Sequence, residues 1–499
     1  MSNPKRLTLL LLLGALAYSN LFSTARAQDS NNQRFRKFEL IKRNSLGQLK
    51  QDGSLPESES NGSSNIEKVG TDSSAEKSQG APSIEERLKD FSDTQLLVKV
   101  GFGSLTNPGY LLVDTNSDYT AINEKTCVGC KDLIYDEAGS TSATDKQPGQ
   151  TITSGRYVMR GDLLKDTVSY FYDPDQTKQH TTNADMHFVA LKQPLQDTKW
   201  KIDLPNLDGI FGLGLGSTKD QSFLVNSDSM QFSLFLNETN SDLYVGGYDN
   251  SLLAQGTESE GYGLHTYDVI GDSWTLELQD ARFIYLTFLK SGANKAKISS
   301  TEEFIYIPQE DFQGLSSAWK GKSADVNCNG TACSIKQSCE FIASEIGPFK
   351  LQFNSNDYFS VEPEQFMYEG AQFGPEYAGN CIFGVMSSDE ATSTGTFILG
   401  QAFLRNYLTV FDVAKKQISF GIHVSSEAAI RRTYSGGIIA LLAISTALLF
   451  PLFVLGIYYL VQLKKRDRRK REREAHEQER QNLMSALTQK TQDTVLREA

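Results

Sequence analysis

With 499 residues and a net charge of −12, the chain is long enough for more than one core and is acidic overall. Residues 464–499 carry 11 basic and 7 acidic residues and residues 1–27 carry three basic ones, which leaves −19 on the part between them. An acidic surface of this kind excludes nucleic acid as a partner, because the phosphate backbone is itself negative. The pattern predicts neither a metal site nor a cofactor, and it leaves the oligomeric state open.

Both ends of the chain contain predicted targeting segments. Residues 1–27 predict a signal peptide, because a basic start precedes an apolar run and Ala25-Arg26-Ala27 has the form of a cleavage site. Residues Ile438–Leu463 contain no charge over 26 residues, which is enough to cross a bilayer with some tilt. The basic run that opens the segment 464–499 places this tail in the cytoplasm. We therefore expect a single-pass type I membrane protein whose ectodomain is extracellular or in the endolysosomal or secretory lumen.

The cysteine content agrees with an oxidising compartment. All six cysteines precede the predicted span, and an even number in a secreted region predicts three disulfides. Three sequons, at Asn61, Asn237 and Asn329, predict glycosylation in the same compartment. The cysteines are Cys127, Cys130, Cys328, Cys333, Cys339 and Cys381.

Residues 28–90 combine a basic strand with a polar linker. In RFRKFELIKR, residues 34–43, basic and apolar residues alternate at strand spacing, so the segment could pair with a sheet edge and place cations against an acidic cleft. The stretch from residue 47 to 90 has too few apolar residues to form a core, which predicts a disordered acidic linker.

The next region has an all-β composition. Short segments rich in Val, Ile, Phe, Tyr and Thr recur between Thr94 and Ile422, separated every eight to twelve residues by turn residues. About 330 residues exceed one compact core, so two β lobes are expected, at 91–256 and 257–424. A stalk at 425–437 would connect them to the predicted span.

Two strand motifs recur in this region. YLLVDTNSD contains Asp114 and is followed by DGIFGLGLG, and KISSTEE contains Ser299 and is followed by FILGQAFLRNYLTVFDVAKKQISFGI. With these motifs the chain resembles the pepsin-like aspartic peptidases over nearly all of 94–422. The resemblance implies an all-β, bilobal fold with a central cleft, to which the sequence adds one C-terminal transmembrane helix.

The resemblance implies further features. Residues Ile152–Val168 are similar to the flap hairpin that closes over bound peptide, and residues 34–43 are similar to a pro-segment strand that blocks the cleft. CVGC at Cys127 is similar to the small disulfide loop of the family, although the motif alone also fits a redox motif or half of a metal site. Cys339 and Cys381 match the second-lobe disulfide, which leaves Cys328 with Cys333.

Several family positions differ in this chain. The family reaction uses two Asp carboxylates that share one proton. Here Asp114 is present, but its partner position is Ser299, whose hydroxyl cannot exchange that proton near operating pH. Asn116 replaces a Gly, and after Gly it is Asn that most readily adopts a left-handed backbone. Ser154 replaces the flap Tyr, and Ala121 replaces the aromatic residue that supports this Tyr in the family.

Other scaffold positions are retained. Thr115 and Ser300 keep the hydroxyls that join the two lobes in the family. The remaining cleft and flap positions that the resemblance implies are Ser117, Gly155 and Thr301, together with Asn116 and Ser154.

The sequence therefore leaves three hypotheses. The leading one is a membrane-anchored pseudopeptidase that binds a peptide or protein in its cleft, and the others are an active aspartic endopeptidase and a structural or adhesive surface module. An active enzyme would need a substitute carboxylate, for which Glu302 is the candidate because its arm could reach the space of the missing Asp. Glu303 is expected to face the other side of the strand, and both Glu residues could instead be solvated charges on a loop edge. For Asp114 the alternative is an ordinary turn residue that caps its local backbone.

Overall fold

The computed structural model describes residues 36–42, 95–104, 108–171, 179–181, 186–199, 201–216, 230–237, 241–255, 263–353, 357–425, 455 and 457–485. The predicted signal peptide, the linker to residue 90, the sequon at Asn61, the stalk after residue 425 and the predicted span as far as residue 454 lie outside these residues.

The described chain is mostly β-structure, in agreement with the predicted fold class. The strands of its first part are β1 Arg36–Lys42, β2 Leu96–Phe102, β3 Pro108–Asp114, β4 Ala121–Asn123, β5 Thr144–Ser154, β6 Tyr157–Asp166, β7 Val168–Phe171, β8 Gln179–Thr181, β9 Met186–Leu191, β10 Leu195–Asp197, β11 Ile202–Leu204, β12 Gly209–Gly212, β13 Gln231–Phe235 and β14 Ser241–Val245. Those of its second part are β15 His265–Asp268, β16 Thr275–Phe283, β17 Leu286–Thr287, β18 Lys295–Ile298, β19 Ile305–Ile307, β20 Asn327–Cys328, β21 Cys333–Ile335, β22 Phe349–Phe353, β23 Tyr358–Val361, β24 Met367–Glu369, β25 Cys381–Phe383, β26 Val385–Ser387, β27 Thr396–Leu399, β28 Tyr407–Asp412 and β29 Gln417–Ile422.

Short helices occur in the second part. They are α1 Gln309–Lys322, α2 Cys339–Ile346, α3 Pro363–Phe366, α4 Asp389–Thr394 and α5 Gln401–Leu404. Helix α1 turns Trp319 and Phe312 into the core, where Trp319 stacks on Phe366 of α3. The helices therefore cover sheet faces of the second lobe, whose strands alone would leave apolar residues exposed.

The two lobes repeat one strand arrangement. In the first, β12 pairs parallel with β3 and antiparallel with β4, and β4 pairs parallel with β9. In the second, β27 pairs parallel with β18 and antiparallel with β19, and β19 pairs parallel with β26. Asp114 and Ser299 follow corresponding strands, β3 and β18, so the repeat predicted from the two motifs is also a repeat of topology.

A third layer joins the lobes. Strands β1, β14, β13, β28, β29 and β15 pair antiparallel in that order, and they come from distant parts of the chain. The predicted lobe boundaries did not separate this layer, because its strands have the same apolar alternation as those of the lobes. Phe232 and Phe411 stack in it with ring centroids 4.5 Å apart, against the buried Trp274.

Strand β1 is part of this layer. Lys37, the basic side chain of this strand that the structure describes, does not lie at the cleft. It pairs with β14, its Phe38 and Leu40 are buried, and Lys37 Nζ lies 2.9 Å from the carboxylate of Asp242. The expectation that the strand pairs with a sheet edge fits this arrangement. Lys37 does not block the cleft as was expected. The alternation of the strand directs the apolar side chains inward and leaves Lys37 beside Asp242 of the neighbouring strand.

The three predicted disulfides are present. Cys127 is bonded to Cys130, Cys328 to Cys333, and Cys339 to Cys381 across 42 residues. The CVGC motif is therefore a disulfide loop, and no His, Cys, Asp or Glu cluster within the described ranges could hold a metal ion. Of the two sequon residues in the described part, Asn329 is exposed, whereas Asn237 is half-buried and its Nδ2 donates to Ser425 Oγ. Glycosylation stays a prediction.

The end of the chain forms a separate unit, 430–499. Its described residues from 457 to 485 are helical and exposed. Within the residues described, no helix has both the length and the apolar content needed to cross a bilayer. The membrane span predicted at 438–463 falls mainly on residues that are not described.

Candidate active site

Asp114 ends β3 at the centre of the first half-site. Its side chain is fully buried, and the backbone N–H of Asn116 donates to its Oδ1 at 2.8 Å. Its Oδ2 accepts no hydrogen bond from the described residues. Burial raises the pKa of Asp114 to about 6, although the Asn116 hydrogen bond and the charges of Arg156 and Lys297 oppose the rise. Asp114 is thus more than a turn residue that caps its own backbone, because its carboxylate is kept in a buried site where it titrates in a weakly acidic range.

Ser299 occupies the matching place in the second half-site. It follows β18, its side chain is buried, and its N–H donates to Leu399 O of the backing strand at 3.0 Å, whereas Asp114 O accepts from the N–H of Leu213, after its backing strand, at 2.9 Å. Its Oγ accepts a hydrogen bond of 2.8 Å from Asn116 Nδ2 and lies 3.3 Å from Thr301 Oγ1. Asn116 therefore contacts both half-sites, with its backbone bound to Asp114 and its amide to Ser299.

Asn116 does not use the left-handed backbone that Asn tolerates in place of Gly. It is not among the described non-glycine residues with positive φ, so its position does not require a left-handed backbone. The amide side chain instead supplies the link to Ser299 that a glycine could not form.

A reciprocal pair of hydroxyl contacts joins the lobes beneath these residues. Thr115 N–H donates to Ser300 Oγ at 3.0 Å, and Ser300 N–H donates to Thr115 Oγ1 at 3.1 Å. Ser300 Oγ donates in turn to Val113 O at 2.7 Å, and Thr115 Oγ1 lies 3.4 Å from Ile298 O. The two hydroxyls that the resemblance marked as retained thus meet across 185 residues of sequence.

The carboxylate of Glu302, the candidate substitute, is engaged by two cations. Its Oε1 accepts from Arg156 Nη1 at 2.8 Å and lies 3.1 Å from Lys199 Nζ. These two cations hold the pKa of the buried Glu302 below its ordinary value, against the opposing effect of burial. The carboxylate is therefore ionised and engaged by the first lobe, which argues against its sharing a proton with Asp114.

Glu303 is also different from a solvated charge. It is buried, and its carboxylate accepts from Tyr368 Oη at 2.8 Å and forms an ion pair with Arg405. It faces away from Glu302, as alternation predicted, but toward the core of the second lobe. The alternative of two solvated loop-edge charges does not hold for either residue, because each Glu is buried and has a cationic partner from a distant segment.

The flap hairpin formed by β5 and β6 is folded onto Asp114. At its tip Gly155 has φ +57°, and a Cβ added there would lie 3.3 Å from Asp114 Oδ2 and 3.0 Å from Asn116 O. Next to it, Ser154 Oγ accepts from the N–H of Asp118 at 2.7 Å. Only a residue without a side chain fits this contact, and a peptide can reach Asp114 only if the hairpin lifts.

Ser117, one of the cleft positions that the resemblance implies, forms a local contact. Its hydroxyl donates to Tyr119 O at 3.0 Å, so it serves the local turn and not the carboxylate of Asp114. The position equivalent to it in the second lobe is Glu302, whose partners are also not catalytic.

Sequence reasoning missed the residues that hold the hairpin down. Arg156, directly after Gly155, donates from Nε to Asp197 at 2.8 Å as well as from Nη1 to Glu302. Lys199 Nζ lies 4.4 Å from the centre of the Tyr306 ring and contacts the same Glu302. We call Arg156, Lys199 and Glu302 the interlobe ion cluster. The one sequence signal that could have indicated the interlobe ion cluster is Arg156, a basic residue at the tip of the predicted flap.

The hairpin carries its aromatic residue at a different position from the flap Tyr of the family. Tyr157 follows Arg156, is buried, and belongs to the same apolar cluster as Ala121 and Met159. Desolvation and the nearby charges of Asp114 and Asp197 raise the pKa of Tyr157, while the charge of Arg156 opposes the rise. Position 121 is a small Ala and position 154 has no aromatic ring. The aromatic ring of this part of the hairpin is that of Tyr157, three residues after Ser154.

Beside the half-sites is a cavity of about 270 Å³. Asn116, Ser299 and Thr301 line one part of it, and the interlobe ion cluster, Lys297 and Glu390 line others. It is polar and smaller than a groove for an extended peptide, because the hairpin tip and the interlobe ion cluster occupy the centre.

Comparison with known proteins agrees with this architecture. The family model described as eukaryotic aspartyl protease matches residues 95–423. The chain belongs to the eukaryotic aspartyl protease family. Asp114 in its first lobe and Ser299 in its second lobe follow corresponding strands.

Similar relatives are known from several organisms. Aspartic protease 6 of Caenorhabditis elegans is 23% identical over 352 residues, covering 68% of this chain and 84% of the relative. Cathepsin D of Dictyostelium discoideum is 24% identical over 363 residues, covering 67% and 84%. Plasmepsin VII of Plasmodium berghei (strain Anka) is 25% identical over 358 residues, covering 62% and 69%.

Proposed function

We propose that this family member is a membrane-anchored pseudopeptidase whose cleft binds a peptide or protein without cleaving it. The observation that carries the proposal is the second half-site, where a serine hydroxyl stands in place of a carboxylate. The nearest acidic side chain in sequence, Glu302, is ionised between two cations.

The chemistry of the site supports loss of catalysis. Peptide hydrolysis in this family needs one carboxylate to activate water and a second to supply a proton, and the two are effective because they share a proton. Ser299 cannot supply a proton near the pKa of Asp114, and general acid–base action is worth on the order of 10²–10⁴ in rate. The folded-down hairpin adds a second obstacle, because Gly155 fills the space above Asp114.

Membrane anchoring is supported by the apolar run 438–463 and the basic residues after it. In this topology the two lobes lie outside the cell or in the endolysosomal or secretory lumen, and residues 464–499 are cytoplasmic. The three disulfides are compatible with such a compartment.

A working peptidase is the second candidate, and one observation favours it. Asp114 is retained, and its pKa of about 6 would let it act as an acid or a base in a mildly acidic compartment.

A peptidase assay of the purified full-length chain with a mixed peptide library from pH 3 to 7 separates the two candidates. We expect no cleavage by the parent protein and a gain of activity in Ser299→Asp, which restores the second carboxylate. The matched control is Ser299→Asp combined with Asp114→Asn, which should be inactive again. Cleavage by the parent protein that disappears in Asp114→Asn would contradict the proposal.

Binding is tested in the same preparation. Photo-crosslinking peptides should label residues of the cleft in the parent protein, and more strongly in Arg156→Ala, which releases the hairpin tip. Arg160→Ala is the control, because Arg160 lies on the same hairpin and contacts Gln196, within the first lobe. Equal labelling of all three proteins would mean that the hairpin does not control access to the cleft.

A further inference from the structure

The hairpin between β16 and β17 has an unusual tip. Phe283 pairs with Leu286, so the turn consists of Ile284 and Tyr285 alone. Tyr285 is 92% exposed, Leu286 66% and Ile284 40%. Three neighbouring apolar side chains thus project from the second lobe and are not used by the proposed function.

The backbone at this tip is strained. Ile284 has φ +58°, in the left-handed region. Two-residue hairpins with positive φ at the first turn position favour glycine there, and a β-branched residue with positive φ is a true outlier. Strain of this kind persists where the rest of the structure enforces it and often marks a functional site. Here it retains an apolar side chain where glycine would be the easier choice.

The base of the hairpin holds the tip firmly. Phe283 is buried and pairs with Phe349 of β22. The Asp280 carboxylate accepts from Thr287 Oγ1 at 2.7 Å and from Tyr358 Oη at 3.0 Å, and it also pairs with Arg282. The exposed side chains are therefore carried on a rigid support and cannot fold back onto the lobe.

The charges next to the tip are mainly positive. Arg282 lies in register with Lys350 of the neighbouring strand. The charge of Arg282 is balanced by Asp280, whereas Lys350 is exposed and forms no ion pair with a described residue. A tip with apolar side chains and a net positive charge at its base is complementary to a surface with an apolar interior and negatively charged groups on its outside.

The size of the tip distinguishes between possible partners. An aromatic side chain offers about 150–250 Å², and the other two side chains are smaller and only partly exposed, so the tip presents less than the ~800 Å² per partner of a standard protein interface. A bilayer has no such requirement, because each apolar side chain that enters it contributes separately, and Tyr is enriched at the membrane–water interface. A predicted stalk of residues 425–437 can span at most about 45 Å, which limits the distance between the lobes and an anchoring membrane.

We infer that Ile284, Tyr285 and Leu286 form a lipid-binding tip that enters the interface of an anionic bilayer and gives the second lobe a contact with the membrane. The inference rests on the proposed membrane anchoring. Its ligand is the acyl–headgroup boundary of the bilayer, with Lys350 beside the negative headgroups.

A fluorescent label at the tip tests this inference. The full-length chain carrying Tyr285→Cys is labelled with an environment-sensitive dye, since all six native cysteines are in disulfides. It is placed in nanodiscs of phosphatidylcholine and phosphatidylserine that contain nitroxide-labelled lipid. The matched control is Ile202→Cys, at an exposed apolar residue of β11 in the first lobe. We expect a blue shift and quenching of the dye at position 285, neither of them at position 202, and a loss of quenching when Leu286→Ser is added.

Other outcomes would overturn the inference. A dye at position 285 that stays in water would exclude contact with the bilayer. A blue shift without quenching by the lipid nitroxide would indicate a protein partner or a second copy of the chain. Extraction with alkaline carbonate is measured in parallel. A chain that resists extraction but shows no quenching contradicts the lipid-binding tip alone, whereas a chain that is extracted contradicts the anchoring on which the tip depends.

Discussion

The two half-sites of this protein have the same backbone and different chemistry. Asp114 and Ser299 follow equivalent strands, each backed by a parallel strand, and the Thr115–Ser300 contacts join them symmetrically. In the first half-site the side chain is a buried carboxylate with a raised pKa, and in the second it is a hydroxyl that accepts a hydrogen bond from Asn116.

The comparison shows that the scaffold of this active site does not depend on its catalytic pair. The hydroxyl contacts link two side-chain hydroxyls to backbone groups and the backing strands pair through the backbone, so neither depends on a carboxylate. The second half-site has instead gained Glu302, which faces two cations of the first lobe. Position and reactivity are therefore set by different residues and can be changed separately.

The largest expected effect comes from breaking the interlobe ion cluster at Glu302. Glu302→Gln removes the carboxylate charge that Lys199 and Arg156 share, and loss of one member of a largely buried ion pair costs about 3–5 kcal/mol. Because the pKa of Glu302 is lowered in the folded protein, its contribution is present above the unfolded-state pKa and is lost as the pH falls below it. Urea unfolding at pH 7 and at acidic pH should show a large difference from the parent protein only at pH 7.

Glu390→Gln is the control for this change. Glu390 lines the same cavity but is exposed and should contribute little. An equal loss in both variants would mean that the charge of the cavity as a whole matters and that the contacts of Glu302 do not.

The next effect has the opposite sign and pH dependence. Burial raises the pKa of Asp114 to about 6, so ionisation of this group opposes folding at neutral pH. Asp114→Asn removes that charge and should raise the free energy of unfolding at pH 7 by about 3 kcal/mol, at roughly 1.4 kcal/mol per pKa unit. Since the cost arises as the pH increases from the unfolded-state pKa to about 6, the gain should vanish below pH 4.

Thermal unfolding of Asp114→Asn and the parent protein from pH 3 to 8 measures this gain. Ser299→Ala is the comparison, because it changes no titrating group and its effect should be independent of pH. A gain for Asp114→Asn that is the same at pH 3 and pH 8 would show that the Asp114 carboxyl is not destabilised by ionisation.

Sequence patterns predicted those features that are encoded locally. The motifs around Asp114 and Ser299 gave the fold, and the same motifs placed Thr115 and Ser300 at the contact between lobes. The pairing of Cys339 with Cys381 also followed from the resemblance. The strand motifs are short segments with their own pattern, whereas the disulfide pairing came from the resemblance alone.

Interactions between distant segments were not predictable in this way. Arg156 and Glu302 are 146 residues apart, and Lys199 and Glu302 are 103 apart. Neither pair has a spacing rule, since the fold alone brings them together. For the same reason the sequence suggested Glu302 as a substitute for the missing carboxylate, whereas in the structure the Glu302 carboxylate is bound by Arg156 of the hairpin.

The smallest effect compares the hydroxyls of two adjacent residues. Ser300 Oγ accepts from Thr115 N–H and donates to Val113 O, so Ser300→Ala leaves two buried backbone groups without that partner and should cost about 2–3 kcal/mol. Ser299 Oγ accepts one strong hydrogen bond, from the Asn116 amide, and Ser299→Ala should cost only about 1 kcal/mol. Urea unfolding of the two variants at pH 7 measures the difference. Since Ser300 holds the backbone of both lobes and Ser299 holds one side chain, a larger loss in Ser299→Ala would mean that the Asn116 link, and not the hydroxyl contacts beneath it, keeps the half-sites together.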